Sequence, residues 1–184
     1  MPFNIPIALT WLRVAAIPLL VAIFYLPNSW FTPFEKNLLA TIIFVSAAVT
    51  DWLDGYLARR MQQESAFGQF LDPVADKLMI ASVMIPLSLQ NRFPWWVTIA
   101  ILFREVGITV FRAVVISGGV ISANRGGKIK TLSQNLGMGW FILPLPKEPA
   151  FFDWFKFGWI YVAVALTYIT GYWYIRAWLN YREA

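Results

Sequence analysis

Apolar residues are gathered into six long runs along this chain, and short polar, proline-containing or glycine-containing segments separate them. A helix that crosses a hydrocarbon core of about 30 Å needs about 20 mostly apolar residues. Runs of roughly this length lie at 7–26, 36–58, 69–90, 95–117, 129–146 and 152–179. Residues that end helices or form turns mark the breaks at Pro27-Asn28, Pro33, 90–94, Gly118-Gly119, Gly126-Gly127 and 144–149. The pattern predicts an all-α integral membrane protein with about six transmembrane helices.

The composition supports this prediction. The chain is 59% hydrophobic and contains 10 Trp in 184 residues, which exceeds the usual range of soluble proteins. Trp95, Trp96, Trp154 and Trp159 lie near predicted helix ends, where aromatic residues are common at membrane interfaces. The first apolar run is too long for the core of a signal peptide and has no clear cleavage site, so we expect it to remain as a helix. No repeat or change in composition divides the chain, which favours a single transmembrane domain over 1–184.

The absence of two residue types narrows the possible chemistry. The chain contains no Cys and no His, which excludes a thiolate nucleophile, an imidazole base and the usual zinc sites. Acid–base catalysis must therefore use carboxylates or Lys. A bound metal should be Mg²⁺ or Mn²⁺, which prefer oxygen ligands. The net charge of +5 suits contact with anionic lipid heads. Nucleic-acid binding is not expected, since no soluble basic face is apparent.

Basic residues are divided unequally between alternate connections. One set, together with the C-terminus, carries Arg59, Arg60, Arg112, Arg125, Lys128, Lys130, Arg176 and Arg182. The opposite set carries Lys36, Arg92, Lys147 and Lys156. Because the side richer in Lys and Arg is normally cytoplasmic, we expect both termini and the segment 51–77 to face the cytoplasm from the inner membrane.

Four aspartates, out of 10 acidic residues in the chain, stand close together in 51–76, next to apolar runs. On a helix, Asp51 and Asp54 share one face, and Asp72 and Asp76 share a face of the next helix with Gly68. A tight connection at 60–67 could turn the two faces toward each other. Four converging carboxylates would repel one another unless cations compensate them, and a pair of divalent ions is a common clamp for phosphoryl transfer.

Small residues and one arginine lie in phase with these carboxylates. Gly55, Ala58 and Gly68 would let a bulky ligand approach closely, and the guanidinium of Arg59 suits a diphosphate. A structural interpretation competes with this one: single Asp residues near helix ends are often solvated or paired, and small residues often serve helix packing. The combination of all these residues in one register favours a metal and phosphate site.

The same residues resemble the signature of the CDP-alcohol phosphotransferases, D-x2-D-G-x2-A-R-x8-G-x3-D-x3-D. Every fixed position is matched, at Asp51, Asp54, Gly55, Ala58, Arg59, Gly68, Asp72 and Asp76. The resemblance implies a six-helix membrane fold, usually homodimeric, with a site that faces the cytoplasm. It also implies two divalent cations that hold the diphosphate of a CDP-linked lipid.

The resemblance assigns roles to individual residues. Asp51, Asp54, Asp72 and Asp76 would be metal ligands, and Asp76 would also be the catalytic base that deprotonates the attacking alcohol. The CDP pocket would be lined by Asp51, Gly55, Ala58, Arg59, Ser65 and Gly68. The acceptor hydroxyl would attack the β-phosphorus, and CMP would leave.

Three further stretches of sequence indicate which alcohol is the acceptor. They are N-I-P-x-x-L-T-x-x-R at 4–13, R-E-V-G-I-T-V-F-R at 104–112 and G-K-I-K-T-x-x-Q at 127–134. They are similar to the bacterial branch of the family that transfers a phosphatidyl group from CDP-diacylglycerol to sn-glycerol 3-phosphate, giving phosphatidylglycerophosphate and CMP. The expected substrates are therefore CDP-diacylglycerol and sn-glycerol 3-phosphate. Acceptors such as phosphatidylglycerol, inositol phosphate or serine remain alternatives.

An acceptor phosphate needs cations, and four basic residues on the predicted cytoplasmic side could supply them: Arg112, Arg125, Lys128 and Lys130. Juxtamembrane Lys and Arg also commonly fix topology and contact lipid phosphates, which is an equally simple explanation. Four other residues are expected to organise the pocket, either directly or through pairing and capping: Thr10, Arg13, Arg104 and Glu105.

Two other functions are considered. Membrane prenyltransferases also bind a diphosphate through aspartates and Mg²⁺, but they generally need more helices and an acidic motif in each of two helical sets, which this chain lacks. A cation or proton carrier would relay ions through membrane aspartates. That alternative leaves the glycines, the alanine and the arginine of the acidic segment unexplained.

Overall fold

The part of the chain that the structure describes contains six α-helices, the number that the hydrophobic pattern predicts. The structure is a computed structural model that describes residues 5–61, 66–115, 125–145 and 149–183. Side chains are described at 10–50, 74–111, 129–145, 149 and 151–180. The helices are α1 (Ile5–Tyr25), α2 (Pro33–Met61), α3 (Ala66–Leu89), α4 (Trp95–Val115), α5 (Arg125–Ile142) and α6 (Ala150–Glu183). The described residues contain no strand, which confirms the all-α class.

The predicted helix limits differ from the observed ones mainly at α5. Gly126 and Gly127 were predicted to break the chain, but they lie in the first turn of α5. The helix then ends at Ile142, earlier than predicted. The reason for the early end is Pro144, since the residue before a proline disfavours the helical conformation.

Within the part of the chain that the structure describes, no helix offers a stretch long and apolar enough to count as a membrane span.

The start of α2 is stabilised by a reciprocal pair of hydrogen bonds. Glu35 Oε2 accepts bonds from the backbone nitrogen of Thr32 at 2.7 Å and from Thr32 Oγ1 at 2.8 Å. The backbone nitrogen of Glu35 donates to Thr32 Oγ1 at 3.3 Å. This arrangement is a capping box. Pro33 occupies the first helical position, where a backbone N–H would have no partner within the helix, so the donor that proline lacks is not needed. The backbone hydrogen bond from Thr32 is the main reason that the pKa of Glu35 lies below its ordinary value.

The end of α3 is closed by a left-handed residue. Asn91 has φ 57°, and the backbone nitrogen of Arg92 donates to the carbonyl of Leu87 at 2.9 Å. The backbone nitrogen of Asn91 also donates to the carbonyl of Ser88 at 3.0 Å. These two bonds form a Schellman motif, in which Asn is one of the few non-glycine residues that tolerate the conformation. The chain then turns through Pro94 into α4.

Hydrogen bonds between helix ends establish the topology. At one end of the bundle, Gln90 Nε2 after α3 donates to the carbonyl of Phe24 in α1 at 3.1 Å. Arg92 Nη1 donates to Asn37 Oδ1 in the first turns of α2 at 3.1 Å. The ends of α1 and α3 therefore lie beside the start of α2. The opposite end of the bundle contains the end of α2 and the start of α3, and we call it the motif end because it carries the acidic segment.

The core is formed by apolar faces of α1 to α6 that meet along the bundle axis. Its fully buried members include Leu20, Val83, Met84, Leu87, Val97, Ile142, Ile160 and Ala163. A few polar pairs join helices inside this core: Ser88 Oγ lies 2.7 Å from Thr98 Oγ1, and Gln134 Nε2 donates to Thr167 Oγ1 at 2.9 Å. Such satisfied pairs set the register between neighbouring helices without leaving a buried donor unpaired.

Candidate active site

The acidic segment lies on two helices that are joined at the motif end. Asp51 and Asp54 are in the last turns of α2, and Asp72 and Asp76 are in the first half of α3. The helical repeat places each pair on one helix face. Among these four, the structure describes the side chain of Asp76 only.

Asp76 is paired with a buried arginine of α1. Arg13 Nη1 lies 3.7 Å from Asp76 Oδ1, and the side chain of Arg13 is only 2% exposed. The side chain of Asp76 is 39% exposed, so its carboxylate is open to a ligand while it compensates the arginine charge. A guanidinium buried in this way needs a nearby anion. The pair therefore fixes α1 against α3 at the position of the predicted catalytic base.

A small recess opens beside this pair, between α1, α2, α3 and α5, and its cavity volume of about 20 Å³ is enough for a group the size of a water molecule. Its polar lining consists of Arg13, Asp76, Thr131 and Asn135. Its apolar lining consists of Phe44, Ala47, Ala48, Met79 and Ile80. A hydroxyl group in this recess could reach the Asp76 carboxylate while apolar side chains limit its contact with water.

A second group of charges joins α4, α5 and α6. Glu105 Oε1 accepts hydrogen bonds from Arg104 Nη1 at 3.1 Å and from Lys130 Nζ at 2.5 Å. Glu105 and Lys130 are 8% and 7% exposed, so the contacts are nearly shielded from water. We call Arg104, Glu105 and Lys130 the ion cluster. One carboxylate faces two cations here, which leaves an excess of one positive charge within the cluster.

The arginine of the ion cluster also contacts α6. Arg104 Nη2 donates to Thr170 Oγ1 at 3.0 Å. At the next residue, Gly171, an added Cβ would lie 3.1 Å from Arg104 Nε. A larger residue at this position would push the guanidinium away, so the absence of a side chain at Gly171 is what allows α6 to approach it.

Comparison with known proteins identifies the chain's family. The sequence profile described as CDP-alcohol phosphatidyltransferase matches residues 3–171, which is most of the chain. The chain belongs to the CDP-alcohol phosphatidyltransferase family. The matched range includes the acidic segment, the recess and the ion cluster.

Curated relatives of the chain carry names of one enzyme. A "CDP-diacylglycerol–glycerol-3-phosphate 3-phosphatidyltransferase" from Shigella flexneri is 38% identical over 191 residues, which cover 100% of this chain and 96% of the relative. A protein of the same name from Escherichia coli is 43% identical over 148 residues, covering 77% of this chain and 78% of the relative. A "Probable phosphatidylglycerophosphate synthase" from Mycobacterium tuberculosis is 45% identical over 143 residues, covering 77% of this chain and 67% of the relative.

Many of the residues that the family signature singles out have side chains outside the described part of the chain. They are Asp51, Asp54, Gly55, Ala58, Arg59, Ser65, Gly68 and Asp72. The backbone is helical at each of these positions except Ser65, which lies in the undescribed segment 62–65. Their assigned roles in this family member remain predictions.

The basic residues predicted to bind the acceptor phosphate lie on two helices, α4 and α5. Arg112 lies in the last turns of α4, and Arg125 and Lys128 lie in the first turn of α5, with their side chains outside the described residues. Lys130 is described, and its ammonium contacts Glu105. A phosphate bound by Lys130 would therefore share the ammonium with this carboxylate.

The residues expected to organise the pocket lie in two places. Thr10 and Arg13 are buried one helical turn apart on α1, on the Asp76 side. Arg104 and Glu105 contact each other in the ion cluster and do not line the recess. Pairing between these last two residues was anticipated, but the third partner, Lys130, was not.

Asp76 offers one partly open carboxylate of the type that binds divalent cations. Among residues with described side chains, no three acidic groups gather into a metal site. However, the helical backbones of α2 and α3 bring the other three aspartates to the motif end, where Asp76 has a partly open carboxylate. Carboxylate oxygens are the ligands that Mg²⁺ and Mn²⁺ prefer.

Sequence reasoning missed Asn135 and gave Thr131 no role. Both line the recess from α5, opposite Asp76. A signal was present, because the two polar residues stand four apart in α5 and must share one face of the helix. The sequence could not show that this face meets Arg13 and Asp76.

Proposed function

We propose that this chain transfers the phosphatidyl group of CDP-diacylglycerol to sn-glycerol 3-phosphate, with release of CMP. The observation that carries the proposal is the full-length similarity to the Shigella flexneri phosphatidyltransferase, which covers 100% of this chain. The complete family signature on α2 and α3 supports it. The product would be phosphatidylglycerophosphate, a precursor of anionic phospholipid.

The proposed general base is Asp76. Its carboxylate lines the recess and is open enough to accept a proton from an acceptor hydroxyl. The hydroxyl oxygen then bonds to the β-phosphorus, the bond from that phosphorus to the bridging oxygen of CMP breaks, and the proton stays on the carboxylate. Arg13 positions this carboxylate from the buried side.

Two divalent cations, Mg²⁺ or Mn²⁺, would supply charge compensation for the diphosphate when bound, and Asp51, Asp54, Asp72 and Asp76 would hold them. The small residues Gly55, Ala58 and Gly68 would leave room for the CDP group. Arg59 and Ser65 would donate hydrogen bonds to it.

The acceptor phosphate is proposed to bind near the start of α5, at Arg112, Arg125, Lys128 and Lys130. The excess positive charge of the ion cluster supports the assignment for Lys130, because a buried cation without a full counter-charge is stabilised by an approaching anion. Glu105 would hold the ammonium in place before the phosphate arrives.

The reaction can be tested by measuring CMP release from CDP-diacylglycerol. With Mg²⁺ present, sn-glycerol 3-phosphate should support release, whereas serine, inositol phosphate and phosphatidylglycerol should give little or none. Removing the metal with EDTA should stop the reaction, and returning Mg²⁺ or Mn²⁺ should restore it. If another acceptor supports faster CMP release, that acceptor replaces sn-glycerol 3-phosphate in the proposal. If CMP release continues without metal, the proposed cofactor is rejected.

We further propose that the helices lie in the inner membrane with the motif end toward the cytoplasm. Exposed apolar side chains form a stripe along α4, at Ile99, Phe103, Val106 and Val110, of which Phe103 is 77% exposed. A similar stripe runs along α2 at Leu38, Ile42, Val45 and Val49. Soluble monomers rarely expose such continuous apolar surface, whereas lipid tails would cover it. A homodimer, which the family resemblance implies, remains a prediction.

Extraction of cell membranes at alkaline pH tests the location. The protein should stay in the membrane pellet after carbonate treatment and enter solution only with detergent. A peripheral protein of the same cells serves as the control and should be released by carbonate alone. Release of this chain together with that control would show that the apolar stripes contact something other than lipid.

A further inference from the structure

The recess contains two polar side chains that the proposed chemistry does not use. Asp76 and Arg13 are paired across one wall, and α5 supplies Thr131 and Asn135 to the same recess. The recess has room for a group the size of a water molecule, so a hydroxyl of an acceptor bound at Asp76 can enter it. Its other polar groups would then lie within reach of α5.

Asn135 is suited to bind a ligand rather than to hold the bundle together. None of the hydrogen bonds recorded among the described side chains involves its amide, although the residue is half-buried. The preceding residue differs, because Gln134 is 1% exposed and donates to Thr167 across the α5–α6 contact. An Asn side chain offers both donors and an acceptor, so it can bind a hydroxyl in either direction.

The apolar lining makes this contact selective. Phe44, Met79 and Ile80 border the recess and limit the access of water. In such surroundings an amide that loses its hydrogen-bond partner is poorly compensated by solvent. A site of this kind discriminates against an acceptor that lacks the matching hydroxyl.

We propose that Asn135, with Thr131 one turn away, binds the second, non-reacting hydroxyl of the acceptor and thereby selects a polyol. The proposal rests on the function proposed above, in which sn-glycerol 3-phosphate has one hydroxyl that reacts and one that does not. Asn135 determines acceptor specificity from α5, while Asp76 accepts the proton from α3.

The experiment compares two acceptors on two forms of the enzyme. The acceptors are sn-glycerol 3-phosphate and 3-hydroxypropyl phosphate, which lacks only the second hydroxyl. In the wild type, kcat/KM should be roughly 5- to 20-fold lower for 3-hydroxypropyl phosphate than for sn-glycerol 3-phosphate. This is the effect expected from losing one hydrogen bond in a site shielded from water. In Asn135→Leu the two acceptors should react at similar rates, and the KM for CDP-diacylglycerol should not change.

Gln134→Leu is the matched control, because it removes an amide from the same helix outside the recess. It should lower Tm through loss of the Thr167 contact but retain the wild-type preference between acceptors. Asn135→Ser provides a second, smaller replacement if the leucine variant does not fold. Equal rates in the wild type, or an unchanged preference in either Asn135 variant, would overturn the proposal. Absence of any CMP release with sn-glycerol 3-phosphate in the wild type would instead reject the proposed function.

Discussion

Replacing Asp76 by Asn should lower kcat by about 10²- to 10⁴-fold, the usual effect of removing a general base. The amide has the same shape as the carboxylate but cannot take the proton of the acceptor hydroxyl. Because Asp76 is also a predicted metal ligand, the variant is assayed with excess Mg²⁺, which should not restore wild-type turnover because the amide still cannot take the proton. The measurement is CMP release at saturating CDP-diacylglycerol and acceptor.

Two controls accompany the Asp76 variant. Helix content by circular dichroism should match the wild type, since Asp76 lies outside the hydrophobic core, whereas Tm should fall because buried Arg13 loses its compensating charge. Asp153→Asn changes an exposed aspartate at the start of α6, on the opposite end of the bundle, and should leave turnover unchanged. Near-normal activity of Asp76→Asn would contradict the assignment of this residue as the base.

Replacing Glu105 by Gln should destabilise the protein more than any exposed charge change. The substitution leaves Arg104 and Lys130 close together and buried without a compensating anion. Breaking a buried ion pair in this way typically costs about 3–5 kcal/mol. For a chain of this size, that loss corresponds to a fall in Tm of roughly 10 °C or more. Thermal unfolding of the purified protein in detergent measures the effect.

A second substitution shows whether charge causes the loss. Adding Lys130→Met to the Glu105→Gln variant removes one of the two uncompensated cations, so part of the lost Tm should return. The double variant is assessed for stability alone, since Lys130 is proposed to contact the acceptor. If Glu105→Gln melts like the wild type, or if the second change lowers Tm further, the ion cluster does not stabilise the bundle as described.

The polar residues of α5 serve three different tasks. Lys130 faces α4 and joins the ion cluster, whereas Thr131 and Asn135 face α1 and α3 across the recess. Gln134 connects the same helix to α6. A single helix thus contributes to structural pairing, to the proposed phosphate contact and to the proposed choice of acceptor, because its polar residues point in different directions around the axis.

The positions of the helices could largely be predicted from the sequence. The limits of α3 and α4 lie close to those expected, because apolar runs and the turn around Asn91 and Pro94 are local features. The start of α5 was missed, because two adjacent glycines usually favour a break, yet here they occupy the first helical turn. Propensity is a weak guide where packing between helices decides the outcome.

The sequence by itself determined the helical class, the family signature and the register of the acidic residues on each helix. These are properties of residues within about 26 positions of one another, and helical periodicity alone relates them. Only the tertiary structure decided that Arg13 pairs with Asp76, that Lys130 lies on Glu105 and that Asn135 lines the recess. Those contacts join residues on different helices. They depend on how whole helix faces pack against one another, and a local sequence pattern does not predict that packing.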